Sequence, residues 1–150
     1  MRLWLDTEFH EHDGLIELIS IGLAREDGGT YYAEAQEYDR TRMSPWLRNY
    51  VAPHLGGPVL PREEIRNQLV AFCGSKPEFW GWYGAYDWVV LCQLFGGMME
   101  LPDGWPVFIR EARQYCSDRA KLPIRRGPQH HALADAEWQR QVWHSLIWVK

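Results

Sequence analysis

Arg2-Leu3-Trp4-Leu5-Asp6-Thr7-Glu8 is short, apolar and partly alternating, and the pattern reads as a β-strand. Asp6 and Glu8 stand two positions apart. On a strand such residues share a face, with their backbone positions ~7 Å apart. Two unpaired anions among apolar neighbours are costly to bury. A hard cation removes that cost, and carboxylates without cysteine favour Mg²⁺ or Mn²⁺ over zinc. The alternative is an exposed strand face carrying two solvated acids.

Downstream, residues 15–25 (Leu-Ile-Glu-Leu-Ile-Ser-Ile-Gly-Leu-Ala-Arg) read as a second strand. The turn signal Asp27-Gly28-Gly29 follows, then a third strand over 30–36. Short turns between them predict an antiparallel meander. The spacing then becomes helical. A short helix over 44–51 opens at Ser44-Pro45. A second opens at Pro61, with Ile65, Leu69, Val70 and Phe72 on one face and Gly74 at its end. Residues 78–83 read as a strand, 87–95 as a helix stopped by Gly96-Gly97, and 131–147 as a last helix. The region 98–129 is punctuated by Pro and Gly, with a helix near 109–117. The class is mixed α/β, and 150 residues make one domain, 1–150.

A 46% apolar share is enough for a core, and the 24% charged share is that of an ordinary globular chain. No apolar run approaches the ~20 residues of a membrane span. Asp6 falls where a signal peptide would keep its apolar region, so a cytoplasmic location is expected. Cys73, Cys92 and Cys116 are odd in number and form no CxxC, which predicts reduced thiols rather than a disulfide framework or a zinc site. A net charge of −4 speaks against a sequence-independent DNA binder, unless the acids cluster around cations that reverse the local field. Nine tryptophans and seven tyrosines are many; they serve either a core of large side chains or a platform for stacked bases.

Two more acids stand out. Asp87 follows Gly84-Ala85-Tyr86 at a strand-to-helix junction, as a helix N-cap or as a metal ligand. Asp135 lies early in the last helix, in Gln129-His130-His131-Ala132-Leu133-Ala134-Asp135-Ala136. The helix dipole favours an acid there; the two histidines just before it are less easily dismissed, the alternative being that one or both are surface residues.

Together these segments resemble the DEDDh exonuclease family, built on the ribonuclease H-like (DnaQ-like) fold. Asp6-Thr7-Glu8 matches its first motif, Gly84-Ala85-Tyr86-Asp87 its second, and His130 through Asp135 its third, in order across residues 6–135. The resemblance implies that Asp6, Glu8, Asp87 and Asp135 hold two divalent cations. It also implies that His130, five residues before the last Asp, is the general base. His131 lies four before Asp135, where a tyrosine would mark the sister DEDDy group. The short chain and its flanking sequence resemble the polyadenylate-specific 3′-exoribonuclease group. That narrower likeness implies RNA as substrate, adenylate tracts, AMP as product and a homodimer.

For substrate contacts, Phe9 and Trp88 are candidates for the terminal base, each with core as the alternative. Thr7 stands between the first two acids. Residues 9–14 could meet the terminal sugar, with Glu11 or His12 on the 2′-hydroxyl. Arg125 and Arg126 could bind upstream phosphates or simply face solvent. The Trp-rich last helix (Trp138, Trp143, Trp148) serves core or interface. Two other readings compete: a general oligoribonuclease or DNA-trimming exonuclease with the same site, and a silent RNase H-like module that binds nucleic acid.

Overall fold

The computed structural model describes residues 1–116 and 118–146. Strand β1 (Arg2–His12) runs on past the expected end at residue 8 and returns as β2 (Leu15–Arg25). Between them Asp13 and Gly14 take φ of 48° and 75°. Positive φ at both central residues marks a type I′ hairpin, for which Asp-Gly is a preferred pair. Strand β3 (Thr30–Ala35) completes the antiparallel meander. Helix α1 (Pro45–Tyr50) starts as the sequence predicts, with Pro45 in its first turn and the Ser44 hydroxyl accepting the Leu47 N–H.

The remaining elements are β4 (Val59–Leu60), α2 (Arg62–Cys73), β5 (Glu78–Gly81), α3 (Ala85–Leu94), β6 (Arg110–Glu111) and α4 (Ala132–Leu146). Among the described residues the sheet order is β4-β3-β2-β1-β5-β6. Strand β5 lies parallel to β1, β6 parallel to β5, and β4 parallel to β3. Strand β1 is therefore central and joins the meander to the helix-connected half.

Two expectations change. The helix near 109–117 is instead the two-residue β6 and a 3₁₀ turn, Ala112–Tyr115. The Glu111 carboxylate accepts the N–H groups of Tyr83, Gly84 and Arg113, tying that segment to the sheet end. Val70 lies off the buried face of α2, which consists of Ile65, Leu69 and Cys73. Trp148 lies outside the described residues.

The two faces of the sheet differ. Alternation along β1 sends Leu3 and Leu5 to one face, where they join Ile21, Leu23, Ile65, Leu69, Phe79 and Leu91 in the main core. The opposite face carries Trp4, Asp6 and Glu8, paired in register with Ala24, Gly22 and Ser20. Helix α4 covers this second face. Trp4, Trp80 and Trp143 pack there, with Trp4 and Trp143 edge-to-face at 5.7 Å. A side chain at Gly22 would collide with the backbone of Ala132 and Leu133, so this glycine lets α4 begin directly against β2.

Candidate catalytic cleft

Glu8 and Asp6 reach the α4 face at the end of the sheet where β1 runs past β5. The β1–β2 register shifts between Glu8 and Phe9, with Ile19 the extra residue opposite. Such a bulge bends the strand and re-aims its side chains. Asp135 enters from the first turn of α4, and Asp87 from the first turn of α3. A cleft of about 250 Å³ is lined by Asp6, Thr7, Glu8, Phe9, Trp46, Leu47, Asp87, His130 and Asp135. Acids separated by up to 129 positions (135 − 6) thus share one cavity.

Three of the four acids are held in place by hydrogen bonds. The Asp87 carboxylate accepts the Thr7 backbone N–H at 2.8 Å and the Thr7 hydroxyl at 2.6 Å. Gly84, not Asp87, is the N-cap of α3, so the capping reading of Asp87 gives way. Its bonds run instead across the site to β1. Gln139 donates to Asp6 at 3.0 Å. Asp135 accepts the backbone N–H of His130 at 2.9 Å.

The electrostatics match the burial. Burial, then Asp87 and Glu8, push the Asp6 carboxyl well above its usual range. Burial, followed by Asp87, lifts Glu8 to about 8. Burial lifts Asp87 to about 6 despite the Thr7 bonds, which pull the other way. The Arg125 guanidinium lies against the Asp135 carboxylate and 4.0 Å over the Trp138 ring, and its charge favours ionised Asp6. One arginine among four carboxylates leaves excess negative charge in a low-dielectric cleft. Bound cations would relieve that excess. Ligand atoms of Glu8, His130 and Asp135 also lie within 4.8 Å of one another. The four carboxylates form an oxygen donor set that fits a hard divalent cation such as Mg²⁺ or Mn²⁺.

The two adjacent histidines have separate surroundings. His130 lines the cleft with φ of 64°, unusual for a residue with a side chain and a mark of local strain. Burial, then Arg125 and His54, hold its pKa below 6.5. His131 turns away, stacks on Tyr32 at 4.5 Å, and accepts the Ala134 N–H on Nδ1.

The other sequence candidates separate clearly. Phe9 lines the cleft, edge-to-face with Tyr86 at 5.6 Å. Trp88 lies in the main core against Phe79 rather than in the cleft, because a helix turns ~100° between neighbours and Asp87 takes the cleft side. Glu11 is exposed, and His12 bonds Glu17. Neither lines the cleft. Arg126 is exposed, whereas Arg125 is drawn to Asp135. Trp138 and Trp143 are buried.

Sequence reading misses Gln139, Trp46 and Tyr50. Gln139 lies four residues after Asp135, on the same helical face, and that spacing was a usable signal. Trp46 and Tyr50, also four apart, stay exposed with ring centroids 4.8 Å and 6.4 Å from His130.

Comparisons with known proteins point to a nuclease. The family described as Rv2179c-like, 3′-5′ exoribonuclease Rv2179c-like domain, matches residues 1–148. The 3′-5′ exoribonuclease Rv2179c of Mycobacterium tuberculosis (strain ATCC 25618 / H37Rv) is 44% identical over 149 residues, covering 93% of this chain and 89% of its own length. The 3′-5′ exoribonuclease MT2234.1 of strain CDC 1551 / Oshkosh matches to the same extent. Among solved structures, exonuclease I is similar with a TM-score of 0.62 at 13% identity, which supports the fold alone. That match covers 97% of this chain, and this chain spans only 41% of exonuclease I.

Proposed function

This chain belongs to the Rv2179c-like 3′-5′ exoribonuclease domain family, and from that premise we propose that it shortens single-stranded RNA from the 3′ end. In this reading it prefers adenylate tracts and releases AMP by two-metal-ion hydrolysis with His130 as general base. The observation that carries the proposal is the meeting of Asp6, Glu8, Asp87, Asp135 and His130 around one cleft. The adenylate preference and a homodimeric state rest on the resemblance of the flanking sequence. RNA as substrate rests on the names of the relatives.

Asp6, Glu8, Asp87 and Asp135 are the residues that would hold the cations. Divalent ions bound there would polarise the scissile phosphate and acidify a water molecule. The protein's own contribution is positional. Thr7 fixes Asp87 and Gln139 fixes Asp6. The backbone of His130 is tied to Asp135. A neutral His130 ring nitrogen takes the proton of the attacking water, and its lowered pKa keeps that nitrogen unprotonated at neutral pH. Trp46 and Phe9 border the cleft as apolar surfaces for the terminal base.

The test assays poly(A), poly(U), poly(C) and single-stranded DNA side by side, with and without chelator. The proposal expects chelator-sensitive release of nucleoside 5′-monophosphate from the 3′ end, fastest on poly(A). His130→Ala should lower kcat by ~10²-fold or more while metal still binds. His131→Ala should leave kcat nearly intact. Equal rates on all homopolymers would remove the adenylate preference, and activity in excess chelator would remove the metal mechanism.

A further inference from the structure

We propose that His10, His12 and Glu17 form a second metal site, taking a transition-metal cation such as Zn²⁺ at the outer end of the β1–β2 hairpin. The inference does not depend on the nuclease reading, since none of the three residues lines the catalytic cleft.

The hairpin itself creates the arrangement. His10 and His12 are two apart on β1 and share a face. Glu17 on β2 stands directly opposite His10 in the antiparallel register. One ligand atom from each of the three residues lies within 4.8 Å of the others. The His10 and His12 rings are 4.5 Å apart, and His12 Nε2 is 2.7 Å from Glu17 Oε2. Zinc–ligand bonds of ~2.0 Å at tetrahedral angles put donor atoms ~3.3 Å apart. Loading therefore needs only a small opening of the His12–Glu17 contact.

A second observation points to a ligand. His10 is only 3% exposed, yet its Nδ1 has no hydrogen-bond partner. A buried imidazole nitrogen without a partner is costly in a plain strand and useful in a coordination site. The surroundings supply support. Arg62 approaches the other oxygen of Glu17, Oε1, at 3.9 Å, leaving Oε2 on the histidine side. Asp13 lies 3.6 Å from His12 Nδ1, within ion-pair range but too long for a hydrogen bond. Arg42, the nearby cation, is paired with Asp13.

The chemistry separates this site from the cleft. Two imidazoles and one carboxylate suit Zn²⁺, whereas Mg²⁺ prefers all-oxygen surroundings. Three protein ligands leave a fourth position for water. Occupancy would clamp the two hairpin strands together, starting at His10, two residues beyond Glu8.

The experiment strips the full chain of metal, saturates it with Mg²⁺ to fill the carboxylate cleft, and then titrates Zn²⁺. Expected is one retained equivalent of zinc by elemental analysis after gel filtration. His12→Gln and Glu17→Gln should weaken retention by at least ~10-fold, and Asp135→Asn should leave it unchanged. In the unmutated protein, Zn²⁺ should shift the imidazole NMR resonances of His10 and His12 and leave those of His54 and His144 in place. This second measurement needs no variant to fold. No retained zinc, loss of zinc only in Asp135→Asn, or a shift confined to His130 would each overturn the site.

Discussion

The two faces of strand β1 make opposite use of one stretch of chain. Toward α2 and α3, Leu3 and Leu5 meet other aliphatic and aromatic side chains and are fully buried. Toward α4, the alternate residues Trp4, Asp6 and Glu8 begin with a tryptophan cluster and end in acids whose pKa values burial raises. Removing apolar area from water stabilises the first face. On the second, desolvated carboxylates store electrostatic cost that only a positive charge relieves. The strand period of two keeps these demands apart, so core quality and site chemistry can change independently except where α4 touches the sheet.

The sharpest way to break this contrast is to swap the type of residue on each face. Asp6→Asn should lower nuclease activity by ~10³-fold, the size of several kcal/mol of lost charge stabilisation. The thermal midpoint of the metal-free protein should hold or rise, as read by calorimetry. A large fall in stability would mean that Asp6 supports the fold. Leu5→Ala should do the reverse, costing ~3 kcal/mol of stability in denaturant unfolding. Its activity per folded molecule should stay near wild type at low temperature. Gly22→Ala tests a place where α4 touches the sheet. A Cβ there forces the start of α4 away from β2, at ~2 kcal/mol for overpacking. Because His130 and Asp135 ride on that end, activity should fall more than stability alone explains.

The last effect to read is the pH dependence of the metal-free protein. Glu8, from its ordinary 4.5, and Asp87, from 3.8, are raised to about 8 and about 6. The folded state thus binds more protons than the unfolded chain between these limits. Stability should fall as pH rises from ~4 to ~8. A divalent cation at ten times its Kd should restore ~1.4 kcal/mol at the upper end. Melting curves with and without Mg²⁺ would show it, and a midpoint rising over that pH range without metal would refute the buried-charge account.

Much of the first face was legible because it follows local rules. Alternation in β1 and β2, the Asp27-Gly28-Gly29 turn and the Ser44-Pro45 cap each specify their own segment. The acids were legible as types and spacings, and their order along the chain carried the family resemblance. Partners across the fold were not. Strands β4 and β6 have two residues each, too short for any periodicity to register. Whether Trp88 or Phe9 faces the cleft depends on the helix phase and on a bulge at Ile19, which no local pattern encodes. Arg125 is a solvated loop residue or a counter-charge depending only on where α4 docks. The Asp13-Gly14 hairpin was readable from its residue pair, and reading it would have carried β1 through His10 and His12.

The Arg125–Trp138 stack has a practical consequence. An indole with a guanidinium 4.0 Å from its ring, beside a carboxylate that a cation would claim, is a built-in optical probe. A divalent ion entering the cleft would compete with Arg125 for Asp135 and would shift the guanidinium from the ring. Tryptophan emission should then follow ion occupancy in real time, with no dye or label, and Arg125→Lys should silence most of that signal.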